Sequence, residues 1–130
     1  MMAHLVGDGS FLNEYQHLAE KLGVPSYVKF LGRFRSGRPI FQFLDSVDLF
    51  VMPSLTEGLP RAMIEAKARG CRCIGSNVRG IPEPLDPVDL VKPGDPVALA
   101  KEIMQKLASP SELARTARRN RARAKSYQPE

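Results

Sequence analysis

Glu57 and Glu65 are the two side chains whose type and spacing most suggest chemistry. They bracket the start of a predicted helix inside the segment PSLTEGLPRAMIEAKARG, residues 53–70. The apolar run Leu49-Phe50-Val51-Met52 before it reads as a buried strand. Pro60 suits a first helical turn, where a missing N–H costs nothing. Ala62, Met63, Ala66 and Ala68 supply helix propensity and packing, and Gly70 suits the left-handed position past the end. The Gly58-Leu59-Pro60 entry leaves N–H groups at the positive end of the helix dipole, a seat for an anion. Across eight residues the two carboxylates would stand ~12 Å apart in a helix. That exceeds the ~5–9.5 Å at which paired carboxylates flank one glycosidic bond. It suits two acceptors holding hydroxyls at opposite ends of an elongated ligand with an anion between them, the layout of a sugar–diphosphate–ribose. It equally suits a solvated pair, one before the helix and one on its wet face.

The rest of the chain must position that segment. Ala3-His4-Leu5-Val6 is a short strand ending at Gly7-Asp8-Gly9. Position 12 is Leu, so the third glycine of a dinucleotide fingerprint is absent. Phe11, Leu12, Tyr15, Leu18, Ala19 and Leu22 recur on one face of a predicted helix that Gly23 ends. Residues 27–31 form the next strand, before the arginine- and glycine-rich loop 32–39. A helix over 40–47 turns Ile40, Phe43, Leu44 and Val47 inward. Short strands follow at 72–75 and 89–91, separated by the loop around Gly80. Asp95 and Pro96 have the residue types of a helix cap and first position, with Leu99, Ile103 and Leu107 inward, and Ser109-Pro110 starts a last helix in the same way. Short apolar strands alternating with helices predict an α/β fold, a parallel sheet covered on both faces. Ligands in such sheets bind at the carboxyl ends of strands, where Glu57 falls.

Composition narrows the function classes. The chain has 130 residues, 43% hydrophobic and 25% charged, as in a soluble globular protein. No apolar run reaches the ~20 residues of a membrane span. The N-terminus has no basic region followed by a signal core, so a cytoplasmic location is expected. Cys71 and Cys73 in C-x-C spacing read as buried strand thiols, and no cluster of metal-ligating residues is present. The net charge of +5 is concentrated, with six basic residues and no acidic one over 115–125. This basic C-terminal helix, within 109–130, could meet a membrane surface peripherally, or simply be a solvated face. Without aromatic interleaving or a binding signature, no nucleic-acid partner is expected.

The motif from Glu57 to Glu65, with Gly58-Leu59-Pro60 and Glu65-Ala66 inside and Gly70 after, resembles the nucleotide-sugar motif of the group 1 (family 4) retaining glycosyltransferases. Val6-Gly7-Asp8-Gly9 resembles the family's "VGDGP" turn and Val28 to Gly32 its "V.FLG" strand. Asp48 to Ser54 is similar to "D.FV.PS", Gly80 to Glu83 to "GG.PE", and Leu90 to Asp95 to "LV.PGD". The resemblance spans nearly the whole chain and implies the Rossmann-like second half of a GT-B enzyme, the donor-binding domain over 1–130, shortened at its N-terminus. It implies that Glu57 holds hydroxyls of the transferred sugar and Glu65 the ribose. It also implies that Gly58, Leu59 and Pro60 shape the turn at the sugar and diphosphate. Gly7, Gly9, Arg33, Phe34 and Gly80 would border the donor. No cofactor or metal is implied beyond the nucleotide-sugar substrate, and an acceptor-binding N-terminal domain or separate subunit is the implied partner. The alternative is a stand-alone nucleotide-sugar-binding module without transferase activity of its own.

The family's diphosphate-binding Arg and Lys, and its first strand and helix, would precede Met1. This chain alone is therefore expected to be inactive. In the order 3-2-1-4-5-6 the first strand lies between the second and the fourth. Its absence leads to the expectation that residues 3–6 pair directly with 49–52, or that another chain fills the gap.

Overall fold

The computed structural model describes residues 1–7, 11–33, 38–53, 61–78, 85 and 89–125. Two compact units divide the chain, Met1–Ile40 and Phe41–Glu130.

The first unit is built on a β-α-β segment. Strand β1 (Ala3–Val6) leads to helix α1 (Leu12–Lys21), then through a 3₁₀ turn at Pro25–Tyr27 to strand β2 (Val28–Gly32). The two strands are parallel, with Ala3 opposite Val28 and Leu5 opposite Phe30, and the register slips between Leu5 and Val6. Gly7 and Gly32 take positive φ, 137° and 72°, where the strands end, and the Gly7 N–H donates to the Gly32 carbonyl at 2.7 Å. Gly23 ends α1 with φ 74°, as its sequence position predicts.

The apolar face expected to be inward on α1 is split. Ala19 is buried and Leu12 half-buried, but Phe11, Tyr15, Leu18 and Leu22 are exposed. Every residue of β1 is exposed too. The physical reason is area: two strands of 4 and 5 residues offer too little apolar surface to cover a helix stripe.

The second unit begins within helix α2 (Arg38–Ser46), at Phe41. Strand β3 (Phe50–Met52), helix α3 (Arg61–Ala68), strand β4 (Cys73–Ser76) and strand β5 (Leu90–Val91) come next. Helices α4 (Pro96–Ala108) and α5 (Pro110–Lys125) complete it. The sheet order is β3-β4-β5, all parallel, with Val51 opposite Ile74 and Ser76 opposite Val91. The central strand β4 is buried at all four positions, as a strand with neighbours on both edges should be. Met63 and Ala66 of α3, Leu44 of α2, Ile74 and Val91 form the core. Gly70, at φ 81°, lets the chain leave α3 and turn into β4. Asp95 caps α4, its Oδ1 accepting from the Ala98 N–H at 3.0 Å, and the Ser109 hydroxyl accepts from the Glu112 N–H at 3.4 Å.

The α/β class with parallel strands is thus as expected, whereas the expected direct pairing of residues 3–6 with 49–52 does not form. Among the described residues β1 makes a ladder with β2 alone, and β3 with β4 alone. The observed orders, β2-β1 and β3-β4-β5, reproduce 3-2 and 4-5-6 of the Rossmann order with the first strand left out.

Cys71 and Cys73 are both buried and neither is in a disulfide; Cys73 opens β4, whereas Cys71 stands before the strand and not on it. Burial, reinforced by Cys71, pushes the Cys73 thiol up to about 12. The folded thiol therefore stays protonated where the unfolded one ionises. Its contribution is fully present below about pH 9 and is lost as the pH rises towards about 12. Iodoacetamide at about pH 8 should leave both thiols unlabelled in the folded protein and label both in guanidinium. Native labelling as fast as that of the unfolded chain would contradict this burial.

Candidate functional site

Glu65 lies one turn into α3, on the first helix after β3, and is half-buried. Its backbone carbonyl accepts from the Arg69 N–H at 3.0 Å, which closes the helix. Its carboxylate makes no hydrogen bond or ion pair with another described residue, so it remains available as an acceptor. Met63 and Ala66 on the opposite side of α3 are buried against the sheet and fix the helix on which Glu65 stands.

Gly7 and Arg33 are brought together in the other unit. Both follow the carboxyl ends of paired parallel strands, and the Gly7–Gly32 hydrogen bond ties the two turns. Arg33 is exposed there. Glu57, Gly58, Leu59, Pro60, Gly9, Phe34 and Gly80 lie outside the described residues.

One cavity, of about 180 Å³, opens at the carboxyl ends of β3, β4 and β5. Pro53, Ser76 and Val91 contribute the strand ends, and Lys92, Asp95 and Leu99 the far wall. Ser76 and Lys92 were not singled out from the sequence. Their signal was positional, since each stands where a parallel strand ends. The start of α4 on this wall is not an anion seat, because the Asp95 carboxylate already accepts from its first turn. Lys92 is the exposed cation of the cavity wall.

A polar knot holds the elements behind these strand ends. The Asp45 carboxylate on α2, only 4% exposed, receives both Nε and Nη2 of Arg69, the Nε bond at 2.9 Å. Arg69 also lies over the Phe41 ring, 5.5 Å from its centroid. From α5, Arg119 Nη2 donates to the carbonyls of Leu44 and Val47 at 3.2 and 2.9 Å, and more weakly to that of Asp45 at 3.4 Å. These carbonyls stand at the end of α2, where a helix runs out of its own N–H donors. Lys106 of α4, also buried, meets Asp89 at 2.7 Å just before β5. Neither the Asp45–Arg69 nor the Lys106–Asp89 pair was foreseen from sequence.

Comparison with known proteins gives this geometry its context. Residues 2–109 match the family described as glycosyl transferases group 1. Protein CapJ of Staphylococcus aureus is 34% identical over 104 residues, which are 80% of this chain and 26% of CapJ. An Escherichia coli UDP-Gal:alpha-D-GlcNAc-diphosphoundecaprenol alpha-1,3-galactosyltransferase is 36% identical over 77 residues, 58% of this chain and 19% of that protein. The crystal structure of Anabaena HepE in complex with UDP superposes with a TM-score of 0.78 at 27% identity, over 97% of this chain and 36% of HepE. The chain thus matches between about a fifth and just over a third of the length of these relatives.

Proposed function

Because this chain belongs to the group 1 glycosyl transferases, we propose that it is the donor-binding part of a retaining glycosyltransferase. In this reading the enzyme moves a hexose-like sugar from a nucleotide-diphosphate sugar to an acceptor in glycan, glycolipid or polysaccharide biosynthesis. The observation that carries it is the placement of Glu65, a carboxylate without a partner among the described residues, on the helix that follows β3. The resemblance of residues 57–65 to the family motif gives that carboxylate a ribose to hold. HepE, alike over nearly the whole chain, has been crystallised with UDP. In the same reading Glu57 holds the transferred sugar, with the amides of Gly58 and Leu59 as diphosphate donors. Pro60, which has no N–H, shapes the turn. Gly7, Gly9, Arg33, Phe34 and Gly80 border the nucleotide. The nucleotide sugar is the substrate, and no metal or further cofactor enters the scheme.

The acceptor belongs to a separate domain or subunit in this scheme. Transfer requires both substrates to be placed and the leaving diphosphate to be stabilised. The 130-residue chain by itself should therefore bind donor yet transfer no sugar. Radiolabelled product above a no-protein control would refute the second half of that statement.

The binding itself is tested by isothermal titration of UDP and other nucleoside diphosphates into wild type and Glu65→Ala. Loss of a hydrogen bond to a charged acceptor costs about 1.5–3 kcal/mol, so affinity should fall roughly ten- to a hundredfold. Equal affinities would remove Glu65 from the ribose.

A further inference from the structure

The basic run at the C-terminus divides into two roles. Arg119 is turned inward onto the end of α2 and is only half-exposed. Arg115 and Arg118 are exposed, Arg115 with 72% of its side chain in solvent. Three residues apart, these two are neighbours on the helix surface. In the sequence, Arg121 stands three residues beyond Arg118 and Lys125 four beyond Arg121, both helical spacings. Glu112, the single acidic residue of the helix, is shared between Arg72 at 3.2 Å and Arg115 at 3.7 Å. Anchored by Arg119 and by the Arg72–Glu112 pair, α5 holds a cationic row in a fixed orientation on the second unit.

We propose that this outer row of α5 docks the protein on an anionic membrane surface. The helix carries only Leu113 and several alanines as apolar residues, so it has no stripe to bury among acyl chains. Adsorption is electrostatic, by arginine against lipid phosphate and carboxylate groups. Among the described residues no helix is long and apolar enough to cross a membrane, and surface docking needs none. Single-stranded nucleic acid is disfavoured because the helix has no aromatic side chain to stack on bases, and the test separates duplex DNA from membrane. A membrane surface also suits the transferase reading above where the acceptor is a glycolipid; only this choice of surface rests on that reading.

The test is sedimentation of the full chain with vesicles of phosphatidylcholine alone or with added phosphatidylglycerol, beside the Arg115→Ala/Arg118→Ala double variant. Both exposed residues can be changed without touching the core, and circular dichroism checks that the fold is kept. The wild type should bind the anionic vesicles and not the neutral ones. Binding should weaken as sodium chloride rises from about 50 to about 500 mM. Each arginine removed should lower partitioning about fivefold, and the pair by at least tenfold. Equal binding to both vesicle types, or an unchanged double variant, would overturn the proposal. Tighter binding to a DNA duplex than to the anionic vesicles at the same salt would assign the face to nucleic acid instead. Nucleotide titration is independent of all these outcomes, so failure here leaves the donor reading standing, and the reverse.

Discussion

Arg69→Ala should destabilise the protein by about 3–5 kcal/mol, the range for breaking one side of a buried ion pair. Asp45 is 4% exposed, and Arg69 gives it two charge-assisted hydrogen bonds. Truncation would take two charge-assisted hydrogen bonds from a buried carboxylate between α2 and the α3–β4 turn, and would also remove the cation stacked over Phe41. For a chain of this size the midpoint of thermal unfolding should drop by roughly 10–20 °C. The double variant Asp45→Leu/Arg69→Met should recover much of that loss, since an apolar pair of similar volume avoids the desolvation of both charges. A single-variant midpoint within about 2 °C of wild type, read by differential scanning calorimetry, would show that water reaches Asp45.

Arg119→Ala should cost about 2–3 kcal/mol through a different route. Its guanidinium donates to three carbonyls at the end of α2, and it ties α5 to α2 across more than 70 residues of sequence. Hydrogen exchange separates this loss from general destabilisation. The amides of α5 and of the last turn of α2 should exchange faster than those of β4. Uniform acceleration, or none, would mean that Arg119 does not hold α5 in place. Removing the anchor should also blunt vesicle binding, because the cationic row would lose its fixed orientation.

Much of the fold was legible because its signals are local. Alternating short apolar runs and helical periods place the strands and α-helices of the described residues close to where they occur. Asp95, Ser109 and Gly70 act as the caps their residue types predict. Long-range partners were not legible. Asp45 reads as a polar helix position, and the Arg69 that neutralises it is 24 residues away. Lys106 reads as a solvated lysine in its helix, yet Asp89 draws it into the interior. The α1 face failed for a related reason. Periodicity shows which side of a helix is apolar, but not whether a sheet is wide enough to cover it. Phe11, Tyr15, Leu18 and Leu22 are apolar and periodic, and still exposed.

At the candidate site, the element on which each described residue stands was legible in the sequence. Glu65 falls on the first helix after a strand, as the motif requires, and Gly7 and Arg33 meet at adjoining strand ends. The cavity bordered by Ser76 and Lys92 was not, because it is assembled from the ends of three strands distant in sequence.

The central claim, that a nucleoside diphosphate binds at the carboxyl end of β3 and the start of α3, is tested most directly by nuclear magnetic resonance. UDP would be titrated into the isotopically labelled chain while backbone amide shifts are followed. Saturable shifts should gather at Met52 and across the first turns of α3 up to Glu65, with uridine alone shifting them far less. The amides of α5 should stay in place. No saturable shift at millimolar UDP, or shifts confined to the basic residues of α5, would contradict the assignment.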